Sequence, residues 1–403
     1  MISNDKMHTR DVGRVSRSDD IERELPGASD VASPYMADPS SVLRMLSDPS
    51  IKVLFPDRYD MSHDWMIGTA GSGQPLAKFT HDCRRPPITA VEAALRFYDD
   101  NYDMVANYFV APGAKTFLDA ARSGHCRFCG REEPNVTFRN DAHAIPECLG
   151  NRTLFTRFEC DDCNQLFGQG IENDFGNWSL PMRTVSCIKG KKGYPTIKLD
   201  LAGRWRIQAN AARALNITGD DNPTFTADEV NKQVHMKLPR RPYTPIAVAK
   251  ALVRMGLTIM PDTEMADFKD ALAWIRDSNH ASEMLPVHPI FQTFVPGPLP
   301  NNFVALLAWR RKHDGLEVPY ASFLLTYANE VIQVFLPSPV RNANVMGKSV
   351  RLYRFPHLLE LGTEIYGPSM TQSRDMSGTT IVKGDMVEAT TRFGHSIDRT
   401  SAS

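Results

Sequence analysis

Three pieces of sequence decide how this chain reads: CRFC (126–129), NDAHAIPECLGN (140–151) and ECDDCNQLFGQGIENDF (159–175). Cys126 and Cys129 make one Cys-x-x-Cys pair, and Cys160 and Cys163 make another. Each pair forms a tight turn that aims two sulfurs at one point, and together they supply four thiolates for a tetrahedral Zn²⁺. Such a shell has no open position, so the zinc is structural and any chemistry lies beside it. Chance pairing or two redox motifs is the other local reading, but no thioredoxin-like βαβ pattern surrounds these cysteines.

The residues inside and after this loop carry a second message. The ordered set of CxxCG, a strand ending in AHAIPECLGN, then ECDDCN, LFG and IEND resembles the HNH endonucleases. These are also called His-Me finger or ββα-metal nucleases, and the match is to the branch with an extra four-Cys zinc. The resemblance covers residues 126–175 of 403. It implies that His143 is the general base that deprotonates the attacking water and that Asn164 orients it. It also implies that Asn173 stands at a metal-ligand position, with Glu172 or Asp174 assisting.

The residue types suit that chemistry. Histidine is the side chain whose unperturbed pKa lies near working pH, as a general base requires. A hard cation, Mg²⁺ or Mn²⁺, can bridge a scissile phosphate and stabilise charge on the leaving oxygen. A side-chain amide on the imidazole fixes its tautomer and direction. The plainer alternative for His143 is a buried, satisfied imidazole. One position departs from the pattern: many HNH members carry Asp, Glu or His just before the base, and here Ala142 stands there. Asp141 is the nearest carboxylate, and on a strand it shares a face with His143.

Composition bounds the rest. An apolar fraction of 42% with five Trp and twenty Phe supports a real core. A net charge of −1 argues against coating nucleic acid through bulk charge but not against a local basic groove. Of seven Cys, Cys83, Cys148 and Cys187 lie outside the zinc set and read as reduced thiols of a cytosolic protein. No apolar run approaches membrane-spanning length, and the polar start MISNDKMHTRDVGR does not read as a signal peptide. The expectation is a cytoplasmic protein with no membrane partner, of bacterial or phage origin by association with the family.

Working outward, residues 1–40 are polar and read as a disordered tail. Residues 41–121 read as a helical region packing on the module, with apolar patches at 42–46 and 51–55 and a flexible loop, GTAGSGQ, at 68–74. After Pro86-Pro87, the Thr89/Glu92 pair reads as a capping box opening a helix from Thr89 to about Tyr108. Residues 122–180 form the zinc module. Residues 181–368 read as a mixed β-rich and helical domain: a hairpin turning at Ala202-Gly203, a strand at 233–238, a helix opened by Thr244-Pro245 and another over 265–275. In the Thr244-Pro245 helix Lys250, Arg254 and Thr258 line one face, and Gly256 weakens it. Residues 303–311 and 323–336 read as buried strands, the latter turning at Asn329-Glu330. Lys189, Lys191 and Lys192 around Gly190, and Lys237, Arg240 and Arg241, could grip a phosphate backbone or be ordinary solvated charge. Residues 369–403 read as a disordered tail.

The fold expected is therefore α+β, a zinc-stapled ββα module embedded in a larger mixed scaffold. The function that the resemblance implies is metal-dependent cleavage of nucleic acid, DNA first, with roles in restriction, phage defence or mobile elements by association. The alternatives are an inactive zinc module that binds DNA or protein, and a nuclease serving as the output of a flanking sensor.

Overall fold

The computed structural model describes residues 9–12, 62–66, 88–119, 123–199, 205–211, 215–218, 224–228, 230–280, 285–296, 304–356, 369–392 and 396–398. In chain order the elements are β1 (Thr9–Val12), β2 (Ser62–Met66), α1 (Ile88–Asn101), β3 (Tyr102–Val110), β4 (Thr116–Phe117), β5 (Ala142–His143) and β6 (Leu154–Thr156). Three helices follow, α2 (Asp161–Gln169), α3 (Ile171–Trp178) and α4 (Leu180–Val185). Then come β7 (Thr196–Lys198), β8 (Arg206–Ala209), β9 (Leu215–Thr218), β10 (Phe225–Asp228), β11 (Gln233–Pro239), α5 (Pro245–Ile259) and α6 (Lys269–Arg276). The last strands are β12 (Ile290–Phe294), β13 (Val304–Arg311), β14 (Ala321–Tyr327), β15 (Glu330–Leu336), β16 (Ser349–Tyr353), β17 (Met370–Arg374), β18 (Met386–Arg392) and β19 (Ser396–Asp398).

The two continuous apolar runs become β13, β14 and β15 of a six-stranded antiparallel sheet in the order β17-β12-β15-β14-β13-β3. Their side chains are buried on both faces, which is why the runs do not alternate with polar residues. Leu306, Ala308, Phe323, Leu325, Ile332 and Val334 face α5, while Leu307, Trp309, Leu324, Val331 and Phe335 pack with Tyr98 and Tyr102 on the other side. Tyr98 and Tyr102 come from α1 and the start of β3, so α1 and β3 pack on this sheet, while β4 joins the module. A second sheet has the order β19-β1-β9-β8-β7, a third β10-β11-β18, and β2 pairs with β16.

Several expectations change here. The first helix stops at Asn101, and Tyr102 to Val110 is a strand hydrogen-bonded to β13. Tyr102 and Val105 fit a helical step from Tyr98, but they fit a sheet edge equally well, and pairing with β13 decides the matter. The polar stretch after residue 369 supplies β17 and β18, which pair with β12 and β11. Backbone bonding at a sheet edge does not need apolar side chains, and a Thr293–Thr371 hydroxyl pair at 2.9 Å suits it. Thr9–Val12 likewise pairs with β9 and β19. The β14–β15 turn is Ala328-Asn329, one residue early, with Ala328 at φ 45°. The second expected helix divides into a 3₁₀ segment, Asp262–Phe268, and α6. Both the hairpin of β7 with β8 and the strand at β11 appear. The patches at 42–46 and 51–55, the loop at 68–74, Pro86-Pro87, Cys83, the side chain of Thr89 and the Ala202-Gly203 turn lie outside the described residues.

Helix α5 is the pivot of the architecture. Every one of its residues is buried, including Lys250, Arg254 and Thr258. Its polar face does not meet solvent, as the periodicity alone suggests; it meets the zinc module and α6. On the opposite side the helix lies almost in contact with the sheet at Gly256. A Cβ there would sit 2.7 Å from Leu336 Cδ2 and 2.9 Å from Phe323 Cβ. In an exposed helix Gly→Ala gains about 1 kcal/mol. Here overpacking costs about 1–3 kcal/mol, so Gly256→Ala is expected to lower the urea midpoint. A raised midpoint would mean that helix and sheet separate without penalty.

Candidate active site

The module builds its site from short elements held by polar contacts. β5 pairs antiparallel with β6, and β4 adds to β6 in parallel, so this small sheet reaches back before Cys126. The long excursion between β5 and β6 is clamped by Asn151. Its fully buried amide donates to the carbonyls of Ile145 and Leu154 at 3.0 and 2.9 Å and accepts from the amides of Thr153 and Leu154. Asp161, the first residue of α2, fixes the approach to β5 from the other side. Its carboxylate accepts from Thr137 Oγ1, from the Arg139 and Asn140 amides and from Asn140 Nδ2. Burial works upward on this carboxyl, but those donors pull it down to about 2.

The four cysteines converge. The sulfurs of Cys126, Cys129, Cys160 and Cys163 lie within 4.8 Å of one another. The Cys126–Cys163 and Cys129–Cys160 separations are both 3.8 Å, the edge of a tetrahedron whose metal–sulfur bonds are about 2.3 Å. As bare thiols they compete for charge: the hydrogen bond from Cys163 holds Cys126 down to about 4, and burial pushes Cys160 up to about 12. A dication at the centre stabilises all four thiolates together, so the donor set fits zinc.

Beside this cluster His143 stands on the wall of a cleft of about 560 Å³ lined by Lys115, Arg139, Asn140, Asp141, His143, Glu147, Arg152, Phe155 and Lys191. Ala142 is buried between Asp141 and His143, so strand alternation turns both polar neighbours to the cleft. The His143 ring packs at a 40° tilt against Phe155, its cross-strand partner, with centroids 4.6 Å apart. Lys115 Nζ bridges Asp141 Oδ2 at 3.2 Å and lies 4.6 Å over the same Phe155 ring. Burial leads in lowering the His143 pKa below the ordinary 6.5; Arg254, Lys191 and Lys115 add to it against the opposing pull of Glu147.

Behind the cleft, Arg254 from α5 holds the strand that carries His143. It donates to the carbonyl of Ala144 at 2.8 Å and of His143 at 3.2 Å, and it pairs with Glu159 and, at 3.4 Å, with Glu172. Burial pushes the Glu159 carboxyl up to about 7 in spite of Arg254. Arg127, inside the first Cys-x-x-Cys turn, donates to the carbonyls of Leu257, Thr258 and Met260 at the end of α5 and pairs with Asp262. Its guanidinium also lies 3.6 Å over the Phe158 ring. The zinc turn thus closes the carboxyl end of α5.

Of the residues singled out from the sequence, His143 and Asp141 share the cleft. Asn164 sits on α2 next to Cys163, half-buried, and among the described residues no hydrogen bond joins it to His143. Glu172 is engaged by Arg254, Asn173 is exposed on α3, and neither lines the cleft. Asp174 accepts the Thr244 amide at 2.5 Å, at the start of α5. Sequence reasoning passed over Glu147 and Arg152, although both lie in or beside the quoted motif, and over Arg254, whose three-turn polar stripe with Lys250 and Thr258 was the available signal. Among the described residues no helix is long and apolar enough to cross a membrane. Residues 126–179, from the first zinc cysteine to the end of α3, match the HNH endonuclease family. No curated protein and no solved structure matches the chain.

Proposed function

We propose that this protein is a metal-dependent endonuclease that cleaves phosphodiester bonds, with DNA as its first substrate. The observation that carries the reading is the setting of His143: a half-buried imidazole with a lowered pKa, on a cleft with four cations, Lys115, Arg139, Arg152 and Lys191, against two carboxylates. Four cations concentrated there, in a chain of net charge −1, make the cleft a polyanion site. Neutral at working pH, His143 takes the proton of the attacking water. The ring is held by Phe155 and by the strand that Arg254 grips, and Asn164 is the candidate to complete its orientation. Asp141 and Glu147 are the carboxylates that would hold a divalent cation, which supplies stabilisation of the charge developing on the leaving oxygen. Zinc at the four cysteines keeps the loop folded.

The test is plasmid nicking by the purified chain with Mg²⁺ or Mn²⁺, against EDTA and His143→Ala. Cleavage is expected with metal, and its loss in the variant by about a hundredfold or more, with zinc content unchanged. Because the His143 pKa is lowered, the neutral base persists below pH 6.5, and log(kcat/KM) should fall only as pH drops through that lowered value. An acid limb above 6.5, or equal rates in His143→Ala, removes His143 from the mechanism. The rival reading is a zinc module that binds without turnover. Ala142 before the base favours it, as does the position of Glu172 and Asn173 away from the cleft. Metal-independent binding without cleavage under any metal selects it.

A further inference from the structure

A second basic feature lies just past the segment that matches the nuclease family. Gly190, Lys191, Lys192 and Gly193 form a tight reversal in which each glycine amide donates to the other's carbonyl, at 3.0 and 3.1 Å. Gly193 takes φ +94°, a region that favours glycine. The reversal is pressed on the cleft wall. A Cβ on Gly190 would stand 3.2 Å from Cys148 Cα and 3.6 Å from the Glu147 carbonyl oxygen, so backbone rests on backbone. Arg152, itself on the cleft, donates to the Gly190 carbonyl at 3.1 Å and fastens the turn from the other side.

The outcome is a rigid finger whose tip carries two adjacent lysines. Lys191 lines the cleft with His143, and its charge is among those that lower the His143 pKa. Lys115, by contrast, is paired with Asp141, and Arg152 is engaged with the turn. Among the described residues neither Lys191 nor Lys192 has a carboxylate partner. Lys191 on the cleft, with Lys192 next to it on a turn fastened by its own hydrogen bonds and by Arg152, suits the regular negative charge of a sugar–phosphate chain.

We propose that the Gly190–Gly193 turn is a phosphate clip that holds the nucleic-acid backbone beside the phosphodiester at His143. It is a binding element that belongs to this chain's own scaffold. The proposal rests on the nuclease reading for the class of ligand. Nucleic acid could enter as DNA or as RNA, which share this chemistry, and the test has an arm for each.

The experiment uses the full chain with zinc bound and no added Mg²⁺ or Mn²⁺, so that the module stays folded and nothing is cut. Binding of short fluorescein-labelled DNA and RNA duplexes is followed by anisotropy across a salt series. The comparison is native protein, Lys191→Ala/Lys192→Ala, Lys191→Arg/Lys192→Arg, and Lys348→Ala as a distant exposed control. The alanine pair is expected to weaken binding roughly tenfold and to reduce the salt slope by about one to two, since each phosphate contact contributes about 0.9. The arginine pair should keep the native slope, and Lys348→Ala should match native. Loss on one duplex type alone supports the clip and identifies its substrate. An unchanged slope in the alanine pair, or no binding of either duplex by native protein, overturns it. A native chain that binds through these lysines yet cuts nothing with metal would remove the nuclease reading and leave the clip standing.

Discussion

Stripping zinc from the four cysteines, or replacing one of them as in Cys160→Ser, is expected to unfold the module and take much of the protein with it. The magnitudes decide this. Structural zinc binding contributes about 10–16 kcal/mol of folding free energy in small modules, whereas a whole domain retains only about 5–15 kcal/mol. The strands that frame the zinc loop are short, β5 having two residues, β6 three and β4 two, so strand pairing alone adds little to hold it. The damage should spread, because Arg127 in the first zinc turn closes the end of α5 and pairs with Asp262. Hydrogen exchange on the chelated protein should therefore rise both in the module and at the carboxyl end of α5. Cys160→Ser should lose bound zinc and show a much lower thermal midpoint. A variant with full zinc content and an unchanged midpoint would show that the cysteines do not form a metal site.

The second large effect is expected at Arg254. Its side chain is 1% exposed and faces Glu159, which is not exposed at all. Arg254→Met fills similar space but leaves the Glu159 carboxyl, the Glu172 carboxyl and two main-chain carbonyls without their donor. Breaking one side of a buried pair costs about 3–5 kcal/mol. Replacing both sides costs less, since no uncompensated charge remains, so Arg254→Met/Glu159→Leu should recover part of the loss. Urea unfolding of the native chain, both single variants and the pair gives the coupling directly. Additive single-variant effects would mean that Arg254 and Glu159 do not stabilise each other. Because the same guanidinium holds the His143 carbonyl, the proposed cleavage should fall in Arg254→Met even at temperatures where the variant stays folded.

Much of this arrangement was legible in the residues. The zinc set follows from spacing, and strand alternation around Ala142 is enough to aim Asp141 and His143 the same way. Pro245, the buried runs at 303–311 and 323–336 and the strand at 233–238 carry strong local signals, and each appears. What local sequence does not disclose is which partner a face will meet. The stripe of Lys250, Arg254 and Thr258 looks like a solvent face until a polar module is set against it. Tyr102 and Val105 satisfy helical and strand spacing alike, and a partner 200 residues away in the chain selects the strand. The edge strand β17 has almost no apolar pattern and is tied to β12 by main-chain pairing and polar side chains, while β18 shows only a short alternation through Val387 and Ala389. Glu172 is drawn to Arg254 and Asn173 is exposed on α3, and helix phase relative to a cleft is a property of packing.

The order of synthesis gives Arg254 one more consequence. The carbonyl of His143 is made 111 residues before the guanidinium that receives it. A growing chain can assemble the zinc loop as soon as Cys163 has emerged, since all four sulfurs are then present. The carbonyls of His143 and Ala144 still lack their guanidinium donor until α5 has left the ribosome. Assembly of the cysteine cluster thus comes early and completion of the cleft comes late, so a nascent chain forms its zinc loop before it holds a finished cleft.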